Sequence, residues 1–189
     1  VLALSETWLR ERDDSTIYAI KDYYLLRSDR TYGLRGGGVA VYISSTLLYS
    51  LIDLLVPLAS SAVEIVGAYI HLHKKRIAIF SIYRPPQASI AAIHDLEACL
   101  SSVFCSIDYI VCMGDLNIDL LNSKGTNAHY LHNIISLYLM KQIIDTPTRV
   151  TRSCASLLDL MFLSCDLPVL ESGVCDDVDV SDHRLIYAY

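Results

Sequence analysis

The stretch Cys112-Met113-Gly114-Asp115-Leu116-Asn117-Ile118-Asp119 places a carboxylate and an amide two residues apart, directly after the apolar run Tyr109-Ile110-Val111. That run reads as a short buried strand, and Gly114 is expected to let the chain turn so that Asp115 and Asn117 emerge at the strand's end. In extended backbone two such side chains point the same way. Together they can hold a hard cation and an oxyanion, as phosphate chemistry requires. Gly-Asp-x-Asn is also an ordinary turn sequence, so spacing alone leaves both readings open.

Other residues could take part in the same chemistry. Glu6 follows the apolar run 1–4 in Ser5-Glu6-Thr7-Trp8 and would sit at the tip of a strand, though an acidic residue there also serves as a helix N-terminal charge. Asp159 lies among Leu158, Leu160, Met161 and Phe162, where an unpaired charge would be costly to bury, so it requires a partner. Asp182 and His183 are neighbours, and in a strand neighbours face opposite sides, so each must serve a separate role. His71 and His73 at strand spacing, and His129 and His132 on one helix, lack acidic partners at metal-site spacing and read as solvated or core-edge imidazoles. Gly36-Gly37-Gly38 lacks the Gly-Lys-Ser/Thr ending of a phosphate loop and precedes a strand, so it reads as a bend where two backbones approach closely.

The elements that must position these residues are mostly strands. Runs at 1–4, 23–26, 39–43, 51–56, 62–71, 76–83, 157–163 and 185–189 read as strands, with Lys74-Lys75 marking a hairpin and Pro85-Pro86 ending the meander. An apolar stripe at 93, 96, 100, 103 and 104 predicts a helix over 89–105 with Ser89 as N-cap, and a second helix is expected over about 127–140. This order fits an α+β sandwich of two sheets covered by helices.

Composition sets outer bounds. With 53% hydrophobic and 19% charged residues in 189, the chain is expected to form one folded domain over 1–189, not a disordered segment. Asp53, Pro57 and a Ser pair interrupt its most apolar window, so no membrane span is expected. Six cysteines without a Cys-x-x-Cys pair read as buried free thiols in a reducing, intracellular compartment. A net charge of −6 gives no electrostatic footprint for nucleic acid, so contact with a polyanion must come from a bound metal or from local patches around Arg27, Arg30 and Arg35 or Arg149 and Arg152.

Five motifs in order, Ser5-Glu6-Thr7-Trp8, Tyr83-Arg84-Pro85-Pro86, Gly114-Asp115-Leu116-Asn117, Ser156-Leu157-Leu158-Asp159 and Ser181-Asp182-His183, resemble the endonuclease/exonuclease/phosphatase superfamily. The likeness is strongest to the apurinic-type endonuclease domain of non-LTR retrotransposons (LINE, jockey and CR1-like elements), a branch that the stretch from Arg35 to Tyr42 also resembles. The resemblance implies a four-layer α/β/β/α sandwich, deoxyribonuclease I-like, with the site at strand ends between the sheets. It implies Glu6 as the main ligand of Mg²⁺ or Mn²⁺ with Asp182 near the metal, and Tyr83 orienting the scissile phosphate. Asp115 would position or deprotonate water or assist the leaving group, and Asn117 would hold the phosphate. Asp159 would orient His183, which supplies the missing partner. Ser156, Arg84 and either Thr148 or Thr151 match polar positions near the phosphate or DNA.

In that family an Asn-bearing strand, followed by a helix, precedes the Ser-Glu-Thr strand. This chain starts too late to include either, so the expectation is a domain truncated at its N-terminus with its activity in question. The implied function is a metal-dependent endonuclease that nicks DNA in the nucleus, giving a primer end to a downstream reverse transcriptase. A phosphomonoesterase acting on phosphoinositides or small phosphate esters shares the core, and an inactive degenerate fragment is the non-enzymatic alternative.

Overall fold

The structure is a computed structural model and describes residues 1–30, 36–54, 63–122, 124–175 and 181–189. Its elements in chain order are β1 (Leu2–Ser5), a 3-10 turn (Ser15–Tyr18), β2 (Tyr23–Ser28), β3 (Val39–Ser44), β4 (Leu48–Leu51), β5 (Glu64–Leu72), β6 (Lys75–Tyr83) and α1 (Ala91–Phe104). They continue with β7 (Tyr109–Asp115), α2 (Thr126–Leu137), β8 (Met140–Gln142), β9 (Arg149–Val150), β10 (Ala155–Ser156), β11 (Asp159–Ser164), β12 (Ser172–Cys175) and β13 (Leu185–Ala188).

Six strands form the main sheet in the order β4-β5-β6-β7-β11-β8, and three form a second sheet in the order β1-β3-β2. Every pairing is antiparallel except β6 with β7, which run parallel because α1 carries the chain back between them. Side chains alternate across each strand, so the main sheet has two apolar faces. On one face Ile65, Phe80, Ile82, Ile110, Cys112, Leu160 and Phe162 pack with the buried stripe of α1 (Ile93, Leu96, Leu100, Val103) and of α2 (Leu131, Ile134, Ile135). On the other, Ala68, Ile70 and Ile79 meet Val41 and Ile43 of β3, which closes the gap between the sheets. β3 is buried along nearly its whole length, as a central strand covered on both sides must be.

This is the α+β sandwich that the sequence leads one to expect, with differences of detail. Among the described residues the far face of the three-stranded sheet carries the 3-10 turn, whose Tyr18 carbonyl accepts from Tyr42 Oη at 2.7 Å, and no α-helix. The fourth layer implied by the resemblance is thus not among the described elements. Of the strand expected at 51–56 only Leu51 is in a strand, as the last residue of β4; residues 52–54 are irregular, and 55–62 lie outside the described ones. Ser89 does not cap α1; Ile90 occupies that position without a side-chain bond. All six cysteines are free as expected, but only Cys99 and Cys112 are buried, because Cys105, Cys154 and Cys165 fall at exposed element ends and loops. Among the described residues no helix is long and apolar enough to cross a membrane.

Candidate functional site

Register builds the site. Glu64 pairs with Tyr83, Tyr83 with Asp115, and Asp115 with Asp159, so four adjacent strands end in one transverse row. Paired residues share a face, and this face is the one turned toward the second sheet. Three carboxylates and a phenol therefore converge where the two sheets meet.

β1 adds a fourth carboxylate. Ser5 Oγ donates to the Ile82 carbonyl at 3.4 Å and accepts from the Asp115 N–H at 3.2 Å, which fastens the end of β1 to β6 and β7. Glu6 follows with φ +55, turned so that Tyr83 Oη donates to its Oε1 in a short hydrogen bond. The turn is held from behind by the glycines: the Thr7 and Trp8 N–H groups donate to the carbonyls of Gly38 and Gly37 at 3.2 and 2.8 Å. All three glycines at 36–38 have φ near +80, so the close approach of two backbones read from the sequence is what they provide. Burial and the Glu6 contact raise the Tyr83 hydroxyl's pKa, so it remains a donor to Glu6.

Gly114 does not turn the chain. β7 continues through it to Asp115, and its φ of +143 brings it so near β6 that an added Cβ would collide with the Ile82 carbonyl oxygen. The turn comes at Asn117, with φ +48. Its N–H donates to Asp115 Oδ1 at 2.9 Å, while its Nδ2 donates to Asp115 Oδ2 at 3.1 Å and to the Arg84 carbonyl at 2.9 Å. The two side chains are thus not parallel ligands in extended backbone: the amide holds the carboxylate. Asp115 is 5% exposed, and burial first, then the Asp159 charge, pushes its pKa up to about 6.

Asp159 finds the partner that its burial requires. His183 Nδ1 lies 2.8 Å from Asp159 Oδ2, and this bond, opposed by burial, raises the imidazole's pKa. The ligand atoms of Asp115, Asp159 and His183 all lie within 4.8 Å of one another. Asp182 points elsewhere, although the chain bends at 181–182 and is not the strand from which that divergence was expected. It accepts from Arg149 Nε at 2.7 Å, is half exposed, and stands apart from that cluster.

The four residues expected near a phosphate or DNA have local partners. Arg84 is 2% exposed, and its guanidinium donates to the Leu116, Pro85 and Ala88 carbonyls, so it braces the loop after β6 and is not offered to DNA. Thr148 is fully buried; its Oγ1 accepts from the Leu158 and Asp159 N–H groups at 3.1 and 3.0 Å, and its carbonyl accepts from the Arg184 N–H at 2.8 Å. It therefore ties the Asp159 strand to the segment bearing His183. Thr151 is exposed and closes a local turn with Cys154. Ser156, half-buried, pairs with Arg149 in the short β9-β10 ladder beside Thr148.

Sequence reading assigned no role to Ser5 or Glu64 and offered Arg30 only to a basic patch; Arg30 instead pairs with Glu64, Nε to Oε1 at 2.5 Å, with its guanidinium over the Tyr83 ring. Glu64 could have been found from its register opposite Tyr83 at the mouth of a hairpin. Arg30 could not, because a long-range contact fixes it. Of the other arginines suggested as basic patches, Arg27 pairs with Asp29, Arg149 with Asp182, and Arg35 lies outside the described residues.

A divalent cation fits this donor set. Asp115 and Asp159 bring carboxylate oxygens within 4.8 Å of each other and of the His183 imidazole, Glu6 joins the same row through Tyr83, and oxygen donors suit Mg²⁺ or Mn²⁺.

Two sheets packed face to face, with carboxylates where their strand ends meet and helices over the larger sheet, are the deoxyribonuclease I-like fold of the endonuclease/exonuclease/phosphatase superfamily. The same fold is seen in the endonuclease domain of TRAS1, a telomere-specific non-LTR retrotransposon, with TM-score 0.70, 16% identity, and coverage of 89% of this chain and 80% of that one. The catalytic domain of Xenopus laevis APE2 gives TM-score 0.76 at 14% identity over 99% and 82% of the two chains. A 3′ phosphatase from Neisseria bound to product DNA hairpin gives 0.66 at 11% over 99% and 87%. No curated protein sequence matches the chain. The Endonuclease-reverse transcriptase family matches residues 77–187, more than half of the length, and the chain belongs to that family.

Proposed function

We propose that this chain is a metal-dependent phosphodiesterase that nicks DNA and leaves a 3′-hydroxyl for a reverse transcriptase to extend, an activity exercised in the nucleus. The observation that carries the reading is the cluster of Asp115, Asp159 and His183, joined through the strand row to Tyr83 and Glu6. Family membership and the likeness to a retrotransposon endonuclease support it.

Glu6, oriented by Tyr83, and the carboxylates beside it would hold Mg²⁺ or Mn²⁺, with Asp182 nearby once Arg149 yields it. The cation's contribution is to neutralise charge developing on the phosphate oxygens. Asp115, held by Asn117 and with its pKa lifted toward neutrality, is suited to align a water and take its proton. His183, steadied by Asp159 and more basic than usual, donates to the phosphate or shares the proton transfer. Thr148, Ser156 and Arg84 act by positioning: they hold the strand ends and loops on which these groups stand.

The likeness to the Neisseria 3′ phosphatase favours a second reading, hydrolysis of phosphate monoesters. Incubating the protein with supercoiled plasmid and, separately, with a 3′-phosphorylated oligonucleotide and a soluble phosphate ester, in Mg²⁺ or EDTA, separates the two. Mg²⁺-dependent conversion to open circles, with far slower phosphate release, is expected. Phosphate release without nicking would overturn the endonuclease reading in favour of the second.

A further inference from the structure

Trp8 is the chain's sole tryptophan, and it stands beside the acidic row with 54% of its surface exposed. A core role does not explain it. Its backbone is at φ +60, a conformation that a bulky residue rarely adopts and that persists only where the surroundings impose it. Here they do: its N–H is held by the Gly37 carbonyl at 2.8 Å, its Nε1 lies 3.5 Å from Glu6 Oε2, and its ring rests against Gly36, where an added Cβ would come 3.5 Å from Cε2. The indole's orientation is therefore tied to the same carboxylate that Tyr83 orients.

Electrostatics alone would not seat a polyanion on this face. Glu6, Asp115 and Asp159 line it, Glu64 is neutralised by Arg30, and the net charge is −6. A flat, uncharged aromatic surface offers a contact that is indifferent to that field. Every nucleobase has a π-face, so the contact is also tolerant of sequence.

Building on the phosphodiesterase reading, we propose that Trp8 is a base-stacking residue that takes the face of a nucleobase unstacked beside the phosphate that docks next to Glu6 and Tyr83. The ligand class is DNA with a locally opened or unpaired base, and the ring's tether to Glu6 sets the distance from that base to the cleavage point. Bending at Glu6 and Trp8 aims both side chains to the same side of the turn.

Because Trp8 is alone, its fluorescence reads the contact directly. The protein is titrated, in Mg²⁺, with a phosphorothioate duplex carrying one unpaired adenine, while the anisotropy of a dye on the DNA reports binding. Binding should quench Trp8 emission by about half or more, and inorganic phosphate should leave it unchanged. Trp8→Ala should weaken binding by about tenfold and Trp8→Phe should restore most of it, with thermal unfolding unchanged in both because the ring is exposed. Binding with unchanged emission, a Trp8→Ala protein that binds as tightly as the parent, or no binding at all would each overturn the proposal. Plasmid nicking without quenching would reject the stacking contact and leave the nuclease standing. Quenching without nicking would do the reverse.

Discussion

Replacing Asp115 by Asn should make the protein more stable at neutral pH, because the carboxylate is held where its charge is disfavoured. Its pKa rises from 3.8 to about 6, through burial first and the Asp159 and Glu6 charges besides, against the opposing pull of the Asn117 N–H and of His183. Between about pH 4 and 6 the folded chain therefore binds more protons than the unfolded one, so stability falls as pH rises through that window and stays lower above it. The span from 3.8 to about 6 corresponds to about 3 kcal/mol. About 1 kcal/mol is lost with the bond that Asn117 Nδ2 makes to Asp115 Oδ2, since an amide nitrogen placed there cannot accept it. A net gain of about 2 kcal/mol, or about 4–8 °C in Tm for a chain of this size, should appear at pH 7.5 and fade by pH 4. His183, whose raised pKa stabilises the fold at low pH and loses that effect as pH rises through it, contributes to both chains and largely cancels in the difference. Thermal unfolding followed by circular dichroism in EDTA, at half-unit pH steps, measures it. An Asn variant no more stable than the parent at pH 7.5, or one whose gain is the same at pH 4, would refute the reasoning.

Gly114→Ala should lose about 3 kcal/mol or more in urea unfolding, since φ +143 and the Ile82 carbonyl both reject a Cβ. Thr148→Val should cost about 2–4 kcal/mol by leaving the Leu158 and Asp159 N–H groups without an acceptor, while Thr148→Ser should keep most of the stability; equal losses would mean that packing, not the hydroxyl, matters. Glu64→Gln should cost about 3 kcal/mol, because it strips the charge from the partner of a guanidinium that is 12% exposed, and a chemical denaturation midpoint unchanged from the parent would contradict it.

Much of this was legible in the chain because it is local. The buried stripe of α1 and the hairpin of β5 and β6 follow from apolar spacing that needs no distant partner to interpret. The environment of Asp159 announced a missing partner, since a charge among Leu158, Leu160 and Met161 cannot stand alone. Register beyond that hairpin was not legible: that Glu64, Tyr83, Asp115 and Asp159 form one row depends on three pairings, two of them between segments far apart in sequence. The function of Gly114 was misread for the same reason, because the neighbour that forbids its Cβ belongs to β6. Arg84 shows how a charged residue misleads: an Arg between Tyr83 and Pro85 looks like an anion contact, yet three backbone carbonyls converge on it inside the fold.

The strand row and the Asp159 and His183 pair are proposed to form one hydrolytic site. Its most direct test is the rate at which supercoiled plasmid is nicked in Mg²⁺ by the parent chain, by His183→Ala and by Asp159→Asn, each with its thermal transition recorded. His183→Ala should lower the rate by about 10²–10⁴, Asp159→Asn by less because the imidazole remains, and both should still unfold cooperatively. Nicking at the parent's rate by a folded His183→Ala protein would contradict the claim.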